Sequence, residues 1–356
     1  MPLYRGFRAW GVPLLPPLAM SFVVTDRCNS RCRTCHIGTR YLEDPHVADG
    51  ELSLAEYRTL SSSLPRLQWV TFSGGEPFMR QDFVDIASAV IAAARPAVVN
   101  IPTNATFPAR AREGVRALLD ACEETRFVVN LSCDGVGAVH DAVRGFGGNF
   151  AALLQLHRDL VEMASPRLVV GVNSVISRFN VEHCDELFDF VFDVLRPDSY
   201  VVELAQRRAE YHNLGDELSG DRPALEAALR QFISRSARLR RRGVPRIVSA
   251  FRREYYQRAL RSLHQPVTHA CYAGFATCTV MPKGEVWSNS QRAESMGNLR
   301  DAGMSFERLW RGHKAQQVRS EVRRDACTCE LSNSAYLNAL LTPGTLARVF
   351  LGYARA

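Results

Sequence analysis

The chain has 356 residues, 46% of them hydrophobic, enough to bury a sizeable core in one large α/β domain or in two. Lys and Arg exceed Asp and Glu by 44 to 37, a net charge of +7, and the ten cysteines are too unevenly spread for a small disulfide scaffold. An apolar run from Gly11 to Val24 is too short to span a bilayer, is broken by Pro13, Pro16 and Pro17, and is followed by no small-residue cleavage site, so a cytoplasmic protein is expected.

In chain order, residues 1–27 read as an N-terminal strap and a first strand. Tyr4, Phe7 and Trp10 beside Arg5 and Arg8 allow a peripheral membrane contact, though packing on the body of the fold is the simpler expectation. Runs rich in β-branched residues at 18–25, 69–73, 98–103, 127–132, 168–176 and 199–205 suit strands buried on both faces of a parallel sheet. Amphipathic stretches at 53–63, 81–94, 109–121, 150–163 and 182–194 alternate with them, with Asp82 and Asn149 where helix caps are expected. Serial β/α units predict an α/β fold, a partial (β/α)6 TIM-like barrel whose core spans 28–205 and whose site lies at the carboxyl ends of the strands.

Residues 206–266 break this rhythm as an Arg-rich linker of two helices. Its segment 235–261 holds ten arginines and one acid, Glu254, and so carries +9 while the rest of the chain sums to −2. Such a stripe suits an anionic partner or a solvated helix face. Its aromatics are limited to Phe251, Tyr255 and Tyr256, so nucleic acid is not the expected partner. Cysteines, glycines and tryptophans mark 267–335 as a small cysteine-rich module, and 336–356 read as a C-terminal helix.

The first cysteine group, CNSRCRTC, follows the first strand directly and spaces Cys28, Cys32 and Cys35 as C-x3-C-x2-C. Thiolates are the usual ligands of iron–sulfur clusters, and three of them leave one corner of a cubane open for chemistry. A zinc knuckle is the structural alternative. SGGEP (73–77) follows the second strand; its glycines allow close approach to a ligand, and Glu76 can accept a charged amino group. The histidines form no i, i+4 pair, and no P-loop, dinucleotide fingerprint or serine-triad signature is present.

Together these motifs resemble the radical S-adenosylmethionine (SAM) superfamily. The resemblance implies a 4Fe–4S cluster on Cys28, Cys32 and Cys35, with SAM chelated to the open iron and held by Gly74, Gly75, Glu76 and Pro77. Thr34 stands where an aromatic residue is common. By family position, Thr103 and Asn104 of PTN, Ser132 of NLSCDG and Asn173 on the fifth strand are candidates for the SAM side. Ser132 and Asp134 could equally face substrate, with Asp134 a possible base. HDAVRG (140–145) resembles a stretch common in members that carry a C-terminal auxiliary module.

Four further cysteines, Cys271, Cys278, Cys327 and Cys329, lie in text similar to the SPASM and twitch extensions of that superfamily: MPKGEVW, MGNLRDAGMSFERLW and ACTC. The resemblance implies one auxiliary Fe–S cluster on these four. Asn289 and Ser332 stand where further cysteines are usual, which excludes the full seven-cysteine pattern. Alternatively three cysteines bind, leaving an open iron, and Cys278 is a free thiol; a thiol near the radical, Cys278 or Cys133, could donate a hydrogen atom as an epimerase requires. Glu203, Gln206 and Arg207 could line the substrate pocket. Only 27 residues precede Cys28, which tilts the expectation toward a small-molecule, sugar or lipid substrate ahead of a peptide. A flavodoxin- or ferredoxin-type protein is the expected electron donor.

Overall fold

A short helix, α1 (Pro2–Trp10), packs Phe7 inward and leads to strand β1 (Ala19–Val23). Then come α2 (Ile37–Glu43), α3 (Leu54–Ser61), β2 (Trp69–Ser73), α4 (Phe83–Ala94), β3 (Val98–Thr103), α5 (Pro108–Ala121) and β4 (Arg126–Ser132). After these lie α6 (Ala138–Arg144), α7 (Asn149–Glu162), β5 (Leu168–Ile176), α8 (Cys184–Asp189) and β6 (Ser199–Leu204). Helices α9 (Arg222–Arg238) and α10 (Val244–Ser262) precede β7 (Thr277–Val280), β8 (Glu285–Trp287) and β9 (Ser295–Asn298). The last described helices are α11 (Phe306–Arg311), α12 (His313–Arg324) and α13 (Asn333–Leu341). This computed structural model describes residues 2–12, 14–238, 244–265, 270–325 and 333–344.

Among the described residues the strands form one sheet in the order β6-β5-β4-β3-β2-β1-β7-β8-β9. Strands β1 to β7 are parallel and the last two pairings antiparallel. The sheet is not closed, and the expected partial TIM-like α/β architecture is what the chain adopts. The cysteine-rich C-terminal segment continues this sheet: β7 pairs with β1 from Ala19↔Thr277 to Phe22↔Val280.

Alternation along the strands gives the sheet two unlike faces. On one, Phe22 stacks on Phe72 at 5.7 Å and Phe72 meets Phe83 of α4 edge-on at 5.8 Å. This helix-covered face also carries Met20, Val70, Val99, Val129, Val172 and Val202, all buried. The opposite, concave face carries Ser21, Thr71 and Asn100 in register, then Asn130, Ser132, Asn173 and Glu203, with Thr279 beside Ser21. Asn130 Nδ2 donates to Asn100 Oδ1 across it at 2.7 Å. A polar layer at those positions suits a ligand-filled interior.

The outer edge of β6 is sealed by Tyr256 of α10, whose hydroxyl accepts from Val202 N (3.0 Å) and donates to Val202 O (3.2 Å). Arg5 of α1 donates to Leu341 O and Arg8 to Cys271 O, each at 2.8 Å, so the first helix is a strap on the C-terminal segment. Two expected caps differ. Asp82 stands at the N-cap of α4 but spends its carboxylate on Arg80, and the cap of α7 is Gly148, because Asn149 turns inward to polar partners. The stretch expected as one helix over 182–194 ends in a π-helical segment, Phe190–Leu195. Among the described residues, no helix is long and apolar enough to cross a membrane.

Candidate active site

The loop after β1 carries Cys28, Cys32 and Cys35, and four separate segments hold its shape. Gly75 N donates to Thr25 O and Glu76 N to Arg27 O, both at 2.8 Å, clamping the SGGEP loop to it. The two backbones approach so closely that a Cβ at Gly75 would collide with the Arg27 carbonyl oxygen; Gly74 lies similarly against Thr25. Arg33 N donates to Val143 O at 2.9 Å, His36 N to Tyr211 O at 2.9 Å, and Asn213 Nδ2 to Thr34 O at 2.7 Å. Arg80 reaches under the loop from the SGGEP side to donate to Val24 O and Leu52 O.

Glu76 is 1% exposed, and its carboxylate already has three donors: Phe78 N at 3.1 Å, Thr103 Oγ1 at 2.9 Å and Asn104 N at 2.7 Å. Burial pushes its carboxyl up to about 7, with those donors working against the rise. The side chain thus joins the carboxyl ends of β2 and β3 at the SGGEP loop. Pro77, buried, opens the one-turn helix that follows. Asn104 donates from Nδ2 to Asn29 Oδ1 (3.1 Å) and Ser30 Oγ (3.0 Å), with Cys28 Sγ 3.8 Å away. Thr103 and Asn104 are therefore at the cysteine loop.

A buried polar chain continues from there. Asn149 Nδ2 donates to Asn104 O at 2.7 Å, His140 Nε2 contacts Asn149 Oδ1 at 3.0 Å, and Asp134 N donates to His140 Nδ1 at 3.1 Å. An acceptor at Nδ1 makes Nε2 the protonated nitrogen, so His140 is neutral, and burial holds its pKa down at about 4. Asp134, 1% exposed, accepts from Val175 N at 2.8 Å and pairs with Arg144 at 3.1 Å. Gly145 has φ +60°, and a Cβ there would meet the Arg31 carbonyl of the cysteine loop. HDAVRG thus buttresses the loop from below; the sequence flagged the stretch without giving His140 or Arg144 a role.

The site's electrostatics fit a metal cluster. Burial pushes the Cys28 thiol up to about 12, with nearby Cys32 adding to it, and burial likewise raises Cys32 and Cys35. Three such thiols ionise together only against positive charge, which iron supplies. Arg144 lies beside Cys32 and Cys28; burial opposes its charge, but those thiols and Asp134 more than offset that. Its Nε is buried with no hydrogen-bond partner among the protein's own groups, which fits a site completed by a bound group. Among the described residues no three His, Cys, Asp or Glu side chains gather tightly enough to hold a single metal ion. A cubane, with one thiolate per corner iron, needs them wider apart.

The other expected site residues fall in two groups. Ser132 and Asn173 are register partners on the concave face, and Glu203 lies on the same face at the end of β6. The arginine turned inward after β6 is Arg208, 8% exposed; Arg207 is exposed. Arg208 donates to Gln206, Tyr211 and Glu210. Cys133 is fully buried, its thiol directed to Gly135 O, and Asp134 is held by two donors. Cys278, also fully buried, pairs in register with Met20 and so sits on the helix-covered face. Cys271 is buried in the turn before β7; Cys327 and Cys329 lie outside the described residues.

Residues 22–191 match the radical SAM superfamily model. The chain is 29% identical over 226 residues to the Fe-coproporphyrin III synthase of Methanosarcina barkeri, covering 62% of this chain and 52% of that protein. It is 31% identical over 176 residues to the PqqA peptide cyclase of Rhodopseudomonas palustris, covering 49% and 43%. The chain thus spans about half the length of these curated relatives. Its fold is similar to native anSMEcpe with bound AdoMet and Cp18Cys peptide, at 13% identity and TM-score 0.58, over 96% of this chain and 97% of that one. With their three-thiol loop, SGGEP clamp and polar sheet face, residues 22–191 are a radical SAM domain, and members of that superfamily are enzymes whose cofactors are a 4Fe–4S cluster and SAM.

Proposed function

We propose that this enzyme activates an unreactive C–H bond of a biosynthetic substrate seated over the concave face of its sheet. The observation that carries the reading is the position of three clamped thiols at the carboxyl end of β1, beside a sheet face lined by Ser21, Thr71, Asn100, Asn130, Ser132 and Asn173. Cys28, Cys32 and Cys35 would hold the cluster, which when bound supplies the electron that splits SAM into methionine and a 5′-deoxyadenosyl radical. The chain's own groups orient and shield. Arg144 faces the anionic loop, Gly75 lets the SGGEP backbone lie against the cysteine loop, and Ser132 and Asn173 offer hydrogen bonds on the SAM or substrate side. A flavodoxin- or ferredoxin-type carrier would deliver the electron. An auxiliary Fe–S cluster that includes Cys271 would accept a second one, making the net reaction an oxidation or a bond formation.

The substrate we favour is a small molecule, in keeping with the tetrapyrrole product named for the Methanosarcina relative. Peptide modification is the second reading. It is favoured by the PqqA peptide cyclase relative and by the whole-length fold likeness to a peptide-bound protein. The burial of Cys133 and Cys278 does not favour a thiol-dependent epimerase.

The test is anaerobic reconstitution followed by SAM and dithionite. The full chain should form 5′-deoxyadenosine and methionine in equal amounts, and the Cys32→Ala variant neither. Absence of both products from the iron-loaded chain would refute the reading.

A further inference from the structure

Helix α1 is apolar on two sides, and the inner one is fixed. Phe7, 1% exposed, meets the Phe275 ring edge-on at 5.1 Å, and the Arg319 guanidinium lies 5.5 Å over its own ring. Arg5 Nε donates to Leu341 O and Arg8 Nε to Cys271 O, each at 2.8 Å, so the helix cannot roll on the body without breaking both bonds. Tyr4 Oη donates to Pro16 O at 2.6 Å and ties down the segment that follows.

Helical spacing then sets the outer side. Leu3 and Trp10, seven residues apart, fall on one face two turns from each other, with Gly6 between them. A Cβ at Gly6 would come within 3.3 Å of the Trp10 ring, so the indole lies back along the helix. Leu3 is 63% exposed, Trp10 77% and Val12, just past the helix, 64%. Three of the eight large apolar side chains exposed among the described residues thus stand in one short stretch, a clustering that singly exposed residues do not show. The rim of this stripe is basic. Arg323 Nη1 donates to Ala9 O at 3.3 Å and Arg8 Nη2 to Arg323 O at 3.4 Å, which brings the end of α12 against the end of α1. Arg323 and Arg324 are exposed, and α1 holds Arg5 and Arg8 and no acid. Of the acids at that end of α12, Glu321 and Asp325, the second is taken by Arg292 at 2.8 Å.

We propose that this face is a peripheral membrane surface whose occupant is an anionic phospholipid bilayer. Leu3, Trp10 and Val12 enter the boundary between headgroups and acyl chains, a place that suits an indole because its ring is apolar and its N–H stays in reach of water. The rim arginines extend to the headgroup phosphates. A second copy of the chain docked through the same stripe would set the two arginine rims against each other, so charge favours the lipid over a self-contact. The inference does not rest on the chemistry proposed above.

The reconstituted full-length chain would be sedimented with vesicles of phosphatidylcholine containing phosphatidylglycerol, and separately with vesicles of phosphatidylcholine alone. The chain should sediment with the first, less with the second, and progressively less with the first as salt is raised. Leu3→Ser combined with Trp10→Ser should weaken binding on the order of tenfold or more, because both apolar contacts with the bilayer are removed. Arg324→Glu should weaken binding to the anionic vesicles and leave that to phosphatidylcholine unchanged. These positions are exposed, so circular dichroism and iron content should match those of the unaltered chain. An unaltered chain that stays in the supernatant with both vesicles overturns the inference. Binding that survives the double substitution in a folded chain overturns it too, because the contact then lies elsewhere. A dimer in sedimentation velocity that the double substitution dissociates would give the stripe to a second copy and overturn it as well.

Discussion

Arg144 is the residue on which the charge balance of the cysteine loop turns. Its carboxylate partner Asp134 is almost fully buried, so removing the guanidinium strands a charge with no route to water. Arg144→Met is expected to cost about 3–5 kcal/mol in denaturant unfolding, and adding Asp134→Asn to restore part of it, because the stranded charge is then gone. His140 makes a prediction of opposite electrical character. The folded chain keeps it neutral down to about pH 4, whereas the unfolded chain protonates it below its ordinary 6.5. Between those values the unfolded state binds more protons, so stability falls as pH drops from 6.5 toward 4 and is insensitive to this group above 6.5. The change should be about 3 kcal/mol in urea midpoints converted to free energy, and should vanish in His140→Gln.

Helix α6 and its terminating glycine show how an element distant in sequence shapes the loop. Gly145 takes a left-handed conformation with its α-carbon against the Arg31 carbonyl. Gly145→Ala should cost about 1–2 kcal/mol in backbone strain alone. It should also reduce the iron retained after reconstitution while the helix and strand signal in circular dichroism persists. Equal iron in both proteins would mean that α6 does not support the loop. The strands were legible because β-branched runs flanked by amphipathic stretches admit few other assignments; β2, β3 and β5 have the bounds read from sequence. Asn149 was misread as a cap because capping and buried hydrogen bonding draw on the same side-chain chemistry.

For the whole molecule, the decisive pairing is β1 with β7. It places the N-terminal strand in the middle of the sheet, with β2 on one side and the C-terminal segment on the other. A chain ending at residue 265 would expose the β1 edge from Ala19 to Phe22 together with apolar surface beneath it. It should accumulate as aggregate and elute in the void volume on gel filtration, whereas the full chain elutes as a discrete species. A discrete, folded truncation would show that the barrel segment is stable without β7.

The sequence by itself determined the local chemistry: three thiols at C-x3-C-x2-C after a strand, a glycine pair one β/α unit later, and the α/β rhythm that brings both to one end of a sheet. Those features are encoded by neighbours in the chain, where spacing and residue type suffice. Only the tertiary structure decided which way each side chain points and what it meets. It turned Glu76 onto Thr103 and Asn104, Arg208 inward in place of Arg207, and Cys278 onto the helix-covered face. Burial and hydrogen-bond satisfaction are set by residues tens to hundreds of positions away, and the parity of a strand face has no meaning until its partners are in register.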